Sequence, residues 1–138
     1  MTIRVMTIDD YPAVYALWDS LPGVGLHPEG EDSYEGMAYY LRRNPETCFV
    51  AEEGGALIGA VLCGNDGRRG YINHLAVARE HQGRGLGRAL VNACLAALRA
   101  ENIQKAGLMI YGDNVVGKAF WEAMGFAPRG LEYWIANV

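Results

Sequence analysis

Gln82-Gly83-Arg84-Gly85-Leu86-Gly87-Arg88 is the stretch on which the reading of this chain turns. It follows an apolar run, Tyr71-Ile72-Asn73-His74-Leu75-Ala76-Val77, whose apolar residues fall on both parities, as in a central strand buried on two faces. It opens a segment with Leu86, Leu90, Cys94, Ala97 and Leu98 on one side and Arg84, Arg88, Asn92 and Arg99 on the other, which predicts an amphipathic helix from about Gly83 to Ala100. Glycine at such a strand-to-helix turn lets the backbone bend tightly and aim successive N–H groups at a ligand. The open N–H groups of a helix start then attract negative charge. A pyrophosphate is a natural occupant, and a glycine turn that only reverses the chain is the alternative. A phosphate loop requires Gly-Lys followed by Ser or Thr, where this chain has Gly87-Arg88-Ala89, and the dinucleotide fingerprint needs its third glycine one position later than Gly87.

Beyond this helix, Lys105–Tyr111 reads as a strand parallel to Tyr71–Val77, reached by a right-handed crossover. Ligands of such sheets sit beyond the C-terminal ends of the parallel strands, here near Val77, Gln82 and Tyr111. Upstream, Cys48–Glu52 and Ala56–Cys63 flank Glu53-Gly54-Gly55 as a hairpin, and Gly64–Gly70 is the turn into the third strand of a meander. Thr2–Met6 reads as a first strand. A helix begins after Thr7, with Tyr11, Val14 and Trp18 on one side, and a second helix covers about Ser33 to Arg43 after a turn-rich connection, Leu21–Gly30. Downstream, Val116, Ala119, Phe120 and Ala123 mark a short helix ended at Gly125, and Leu131–Ala136 a last strand. The expected fold is one α/β domain over residues 1–138, with a mixed central sheet of about six strands and helices on both faces.

The bulk composition excludes several classes of function. No apolar run approaches the ~20 residues of a membrane span, and the N-terminus lacks the pattern of a secretory signal, which favours the cytoplasm. The net charge is −4 with no basic run, so nucleic acid is not an expected partner. The acidic surface suits a cationic amine. Cys48, Cys63 and Cys94 form no C-x-x-C pair, read as small core residues, and no metal is expected.

Together with Leu75-Ala76-Val77 and its five-residue spacer to Gly83, the stretch Gln82-Gly-Arg-Gly-Leu-Gly87 resembles the signature of the GNAT acetyltransferase superfamily, Gln/Arg-x-x-Gly-x-Gly/Ala after a strand. Asp113-Asn114, followed by Ala119-Phe120-Trp121-Glu122-Ala-Met-Gly125-Phe126, resembles the family's second block. The resemblance covers about Cys48 to Phe126. It implies acetyl-CoA as co-substrate. The backbone of Leu75, Ala76 and Val77 would pair with the pantetheine arm, Gln82 to Arg88 would hold the pyrophosphate, and Asn114 would reach the arm from the second parallel strand. Arg84 or Arg88 would contact the 3′-phosphate, unless both are solvated helix residues.

Acetyl transfer to an amine needs a base for the amine, a donor for the oxyanion and a proton for the leaving thiolate. The resemblance places the oxyanion donor near the Leu75 N–H. It also puts a Tyr in the second block as the acid, but this chain has Trp121 there, whose indole does not ionise usefully. Trp121 is left to hydrogen-bond the sulfur or wall the channel, and Tyr111 is the substitute acid, unless it is a core aromatic. His74 and Asn73 are the candidates beside the acetyl group. An imidazole accepts a proton near neutrality, and strand alternation predicts that the two point to opposite faces. A buried histidine without a catalytic role and a water relay to an acidic side chain are the alternatives. Acceptor choice is expected to lie in residues 23–39, with Glu29, Glu31, Asp32 and Glu35, a run that reads equally as a solvated helix start. A small-molecule or protein amine both fit. The rival readings are a CoA-binding sensor without turnover and a nucleotide-binding regulatory domain. Tyr133 and Trp134 suit a core or a homodimer interface alike.

Overall fold

Arg4 ties the beginning of the chain to the sheet. From strand β1 (Thr2–Val5) its guanidinium forks onto Asp10 at 2.7 and 2.9 Å and also reaches Glu52. Asp10 accepts the Thr7 N–H at 2.8 Å, which closes the head of a single 3₁₀ turn, Ile8–Asp10, leading into α1 (Tyr11–Asp19). The Arg4 guanidinium holds the Asp10 carboxyl below its ordinary value. The computed structural model describes residues 1–138, in two compact units, Met1–Leu108 and Met109–Val138. No helix is long and apolar enough to cross a membrane.

The first unit holds β1, α1, α2 (Tyr34–Arg43), β2 (Phe49–Glu53), β3 (Ala56–Asn65), β4 (Gly70–Val77), α3 (Leu86–Ala100) and β5 (Ala106–Gly107). The five strands lie in chain order, antiparallel from β1 to β4 and parallel between β4 and β5, so the fold is α/β with a mixed sheet. Alternation along β3 sorts the two faces. Ala60 and Leu62 join a buried cluster with Val14, Leu17 and Trp18 of α1 and Met37 and Leu41 of α2. Gly59, of the opposite parity, presses on α3: a Cβ there would meet Leu90 at 3.0 Å, and one at Gly70 would meet Leu98 at 2.5 Å. Burial of Val14, Trp18, Val50, Val61, Leu90 and Val91, all fully enclosed, fixes both layers. Cys48, Cys63 and Cys94 are buried and free, as their composition predicted. Burial pushes the Cys48 thiol up to about 12, and the neighbouring Cys63 side chain together with burial pushes the Cys94 thiol up, so both stay protonated and inert.

Three expectations need correction. The long helix begins at Leu86 rather than Gly83, because Gly83 and Gly85 take φ of 77° and 82°, which no helical residue adopts. The strand expected over Lys105–Tyr111 is a ladder of two residues, and none forms over Leu131–Ala136, so the sheet has five strands rather than about six. Apolar alternation records a tendency to extend, but a strand exists only where a neighbour supplies its ladder hydrogen bonds. The second unit holds α4 (Val115–Ala123), whose head is capped by the Asn114 side chain accepting the Gly117 N–H at 2.8 Å. Its end is marked by Gly125 at φ 94°.

Candidate active site

Strand β4 is irregular where the chemistry was expected. Ala76 pairs with Ala60 and Asn73 with Leu62, so His74 and Leu75 together oppose Val61 alone and form a β-bulge. His74 takes φ 51°, a left-handed conformation unusual for a residue other than glycine and costing about 1–3 kcal/mol. The bulge overturns the expected alternation of Asn73 and His74. Asn73 lies beside Tyr40 of α2, where its amide opposes the upward push that burial exerts on that phenol. His74 reaches Asp32, just ahead of α2, through Nε2 at 2.9 Å, and its ring stands edge-on to Trp18 of α1 at 5.0 Å and 76°. An extra residue shifts the parity of one strand by one step, so both side chains lie on the α1–α2 face.

The surroundings of His74 are closely tied. Trp18, fully buried, donates its indole N–H to the His74 carbonyl at 3.3 Å. Asp32 is 2% exposed; its second carboxylate oxygen accepts the His27 N–H at 2.8 Å, and its carbonyl accepts the Tyr11 hydroxyl at 2.7 Å. Asp32 is thereby withdrawn from the solvated acidic run in which its sequence neighbours place it. Trp18 and Tyr11 were not legible as site residues, and Asp32 was legible only as one of four carboxylates in the expected acceptor region. An aspartate between Glu31 and Ser33 carries no local signal that it pairs with a histidine 42 residues away.

β5 leaves β4 after Tyr71, so Ile72 to Val77 have no partner strand on that side. The open edge contains Leu75, Ala76 and Val77. The Gln82 side chain donates to the Val77 carbonyl at 3.0 Å and folds the turn back onto the strand end. Beyond it, no protein group accepts the N–H groups of residues 83–88, and α3 has no side-chain cap at Gly85. A Cβ at Gly83 or Gly85 would meet nothing within 4 Å, so these glycines serve backbone conformation rather than packing. Leu86 is buried beneath the turn, while Arg84 and Arg88 are exposed and in no ion pair. Asn73, His74, Leu75 to Val77 and Gln82 to Arg88 thus occupy one strand–turn–helix. Tyr111, Asn114 and Trp121 belong to the second unit. There the Tyr111 main-chain carbonyl accepts the Asn114 N–H at 3.1 Å, and Trp121 packs edge-to-face with Phe120 and Phe126.

A family model described as the acetyltransferase (GNAT) family matches residues 11–126. An acetyltransferase of Sodalis glossinidius is 31% identical over 126 residues, covering 91% of this chain and 87% of its own length. An uncharacterised N-acetyltransferase of Yersinia pestis is 30% identical over 129 residues, covering 94% and 89%. Among solved structures, the PaiA N-acetyltransferase of Thermoplasma acidophilum in complex with coenzyme A superposes with a TM-score of 0.80 at 18% identity, covering 95% of this chain and 92% of its own. Ard1 of Thermoplasma volcanium does so with a TM-score of 0.79 at 24% identity, covering 91% and 82%. The chain belongs to the acetyltransferase (GNAT) family, and N-acetyl transfer is its class of chemistry.

Proposed function

We propose that residues 1–138 act as one N-acetyltransferase domain that passes the acetyl group of acetyl-CoA to a primary amine by direct attack in a ternary complex. The observation that carries this reading is the open edge of β4 leading directly into the unpartnered N–H groups of residues 83–88. A pantetheine arm carries amide groups that pair with a free strand edge as an added strand would. A pyrophosphate suits the bare head of α3, where the helix dipole adds to the N–H groups. Arg84 or Arg88 supplies a cation for the remaining phosphate. The relative of the same fold solved with coenzyme A supports this choice of co-substrate.

In this reading the amine nitrogen adds to the thioester carbonyl, the oxyanion is met by main-chain N–H near Leu75, and the C–S bond breaks with its electron pair on sulfur. His74 and Asn73 flank the reacting carbonyl, and the leaving thiolate takes up a proton. The acceptor is a small-molecule or protein amine. Calorimetric titration with acetyl-CoA, followed by a thiol-release assay with spermidine, a lysine peptide, a peptide with a free α-amine and an arylamine, tests the reading. Binding with thiol release on one amine is the expected result. Binding with no release on any amine would favour a CoA sensor, and no binding would refute the site.

A further inference from the structure

The side chain of Asp32 is buried, ionisable and aimed at the one titratable group on the bulge, which asks for more than a structural tie. A carboxylate can only accept, so the 2.9 Å contact places the imidazole hydrogen on Nε2 of His74. A neutral His74 then carries its lone pair on Nδ1. Asp32 is held against rotation, because its other oxygen takes the His27 N–H and its own carbonyl takes the Tyr11 hydroxyl. His74 is held at both ends as well, by Asp32 on the ring and by the Trp18 indole on the main chain. Its Nδ1 has no protein partner and is not sealed in, and the side chain remains 20% exposed. The strained bulge therefore presents one basic lone pair of defined direction, backed by a carboxylate that stabilises the imidazolium formed on protonation.

Resting on the acetyl-transfer reading above, we infer that His74 is the base that takes the acceptor amine's proton through Nδ1, and that Asp32 is its positioning residue. As the nitrogen adds to the thioester, its C–N bond forms and its N–H becomes acidic. Nδ1 accepts that proton, the C–S bond breaks, and the proton passes to the thiolate or to water, restoring neutral His74.

Nitrogen NMR of the full chain labelled with ¹⁵N-histidine reads the tautomer without any substrate, with His74→Gln assigning the signal among the three histidines. The Nε2–H form is expected, and an Nδ1–H form in the unaltered protein would overturn the inference. Asp32→Asn keeps an oxygen for the His27 N–H but offers an N–H to Nε2, which forces the hydrogen onto Nδ1 and removes the lone pair. Acetylation of whichever panel amine is turned over should then fall on the order of 100-fold in kcat, with the KM for acetyl-CoA and the melting temperature little changed. Adding Asp32→Asn to His74→Gln should cost nothing further in kcat. Losses that multiply in the double variant, or a flipped tautomer with undiminished kcat, would reduce the pair to a structural tie. Acetyl-CoA binding with no amine turned over would instead sink the transferase reading while the tautomer still reports on Asp32.

Discussion

The heads of the helices divide into two kinds. α2 is closed by Ser33, which accepts the Gly36 N–H at 3.0 Å, and α4 by Asn114, while the turn leading into α1 is closed by Asp10. α3, the longest helix at 15 residues, is closed by nothing: Gly85 brings a left-handed backbone and no side chain. A cap is worth about 1 kcal/mol to a helix, so the chain forgoes stability at the one head that follows the open strand edge. The first kind of head is closed within the protein, and the second leaves its donors open.

Gly85→Asp should separate the two most sharply. Its carboxylate would face the bound pyrophosphate, lowering acetyl-CoA affinity by about 100-fold or more, roughly 2.7 kcal/mol, in a calorimetric titration. Gly85→Asn, similar in size, uncharged and tolerant of the left-handed conformation, should lose much less. Equal losses would show that backbone strain, not charge, governs the turn, and undiminished binding by Gly85→Asp would move the cofactor elsewhere.

A closed head should show the opposite profile. Asp10→Asn should cost about 1–2 kcal/mol at neutral pH by urea unfolding, leaving acetyl-CoA affinity unchanged. Because Arg4 lowers the folded-state value of this carboxyl below 3.8, its contribution is complete above the unfolded value and lost as pH falls through the folded one. The unfolding curves of the two proteins should therefore converge in acid, and a constant difference down to low pH would contradict the Arg4 contact as its cause. Ser33→Ala is the smallest effect, about 1 kcal/mol of stability, again with binding intact. A loss of acetyl-CoA affinity in Ser33→Ala would blur the distinction between the two kinds of head.

Much of this division is readable from residue order. Ser33 before Tyr34–Arg43 and three glycines at the head of an amphipathic segment are local patterns, because capping and left-handed turns involve residues a few positions apart. The same locality explains the misreadings. Val77 to Gly83 could be placed, but the extent of β5 could not, since Leu108 to Tyr111 read as strand and lack the ladder that would make them one. The alternation rule failed at Asn73 and His74 because it assumes unbroken register, and the bulge that breaks it exists only against β3.

The order of the helices and of the first five strands, the glycine turn at a helix head and the family to which the chain belongs are all legible in residue order, because each is written in neighbouring residues. That His74 and Asn73 share a face, and that Asp32 leaves its acidic run to hold His74, emerges from the folded chain alone. Those facts depend on pairing between β3 and β4 and on contacts spanning 42 residues, and the burial that makes such contacts count is a property of the packed chain rather than of any segment in it.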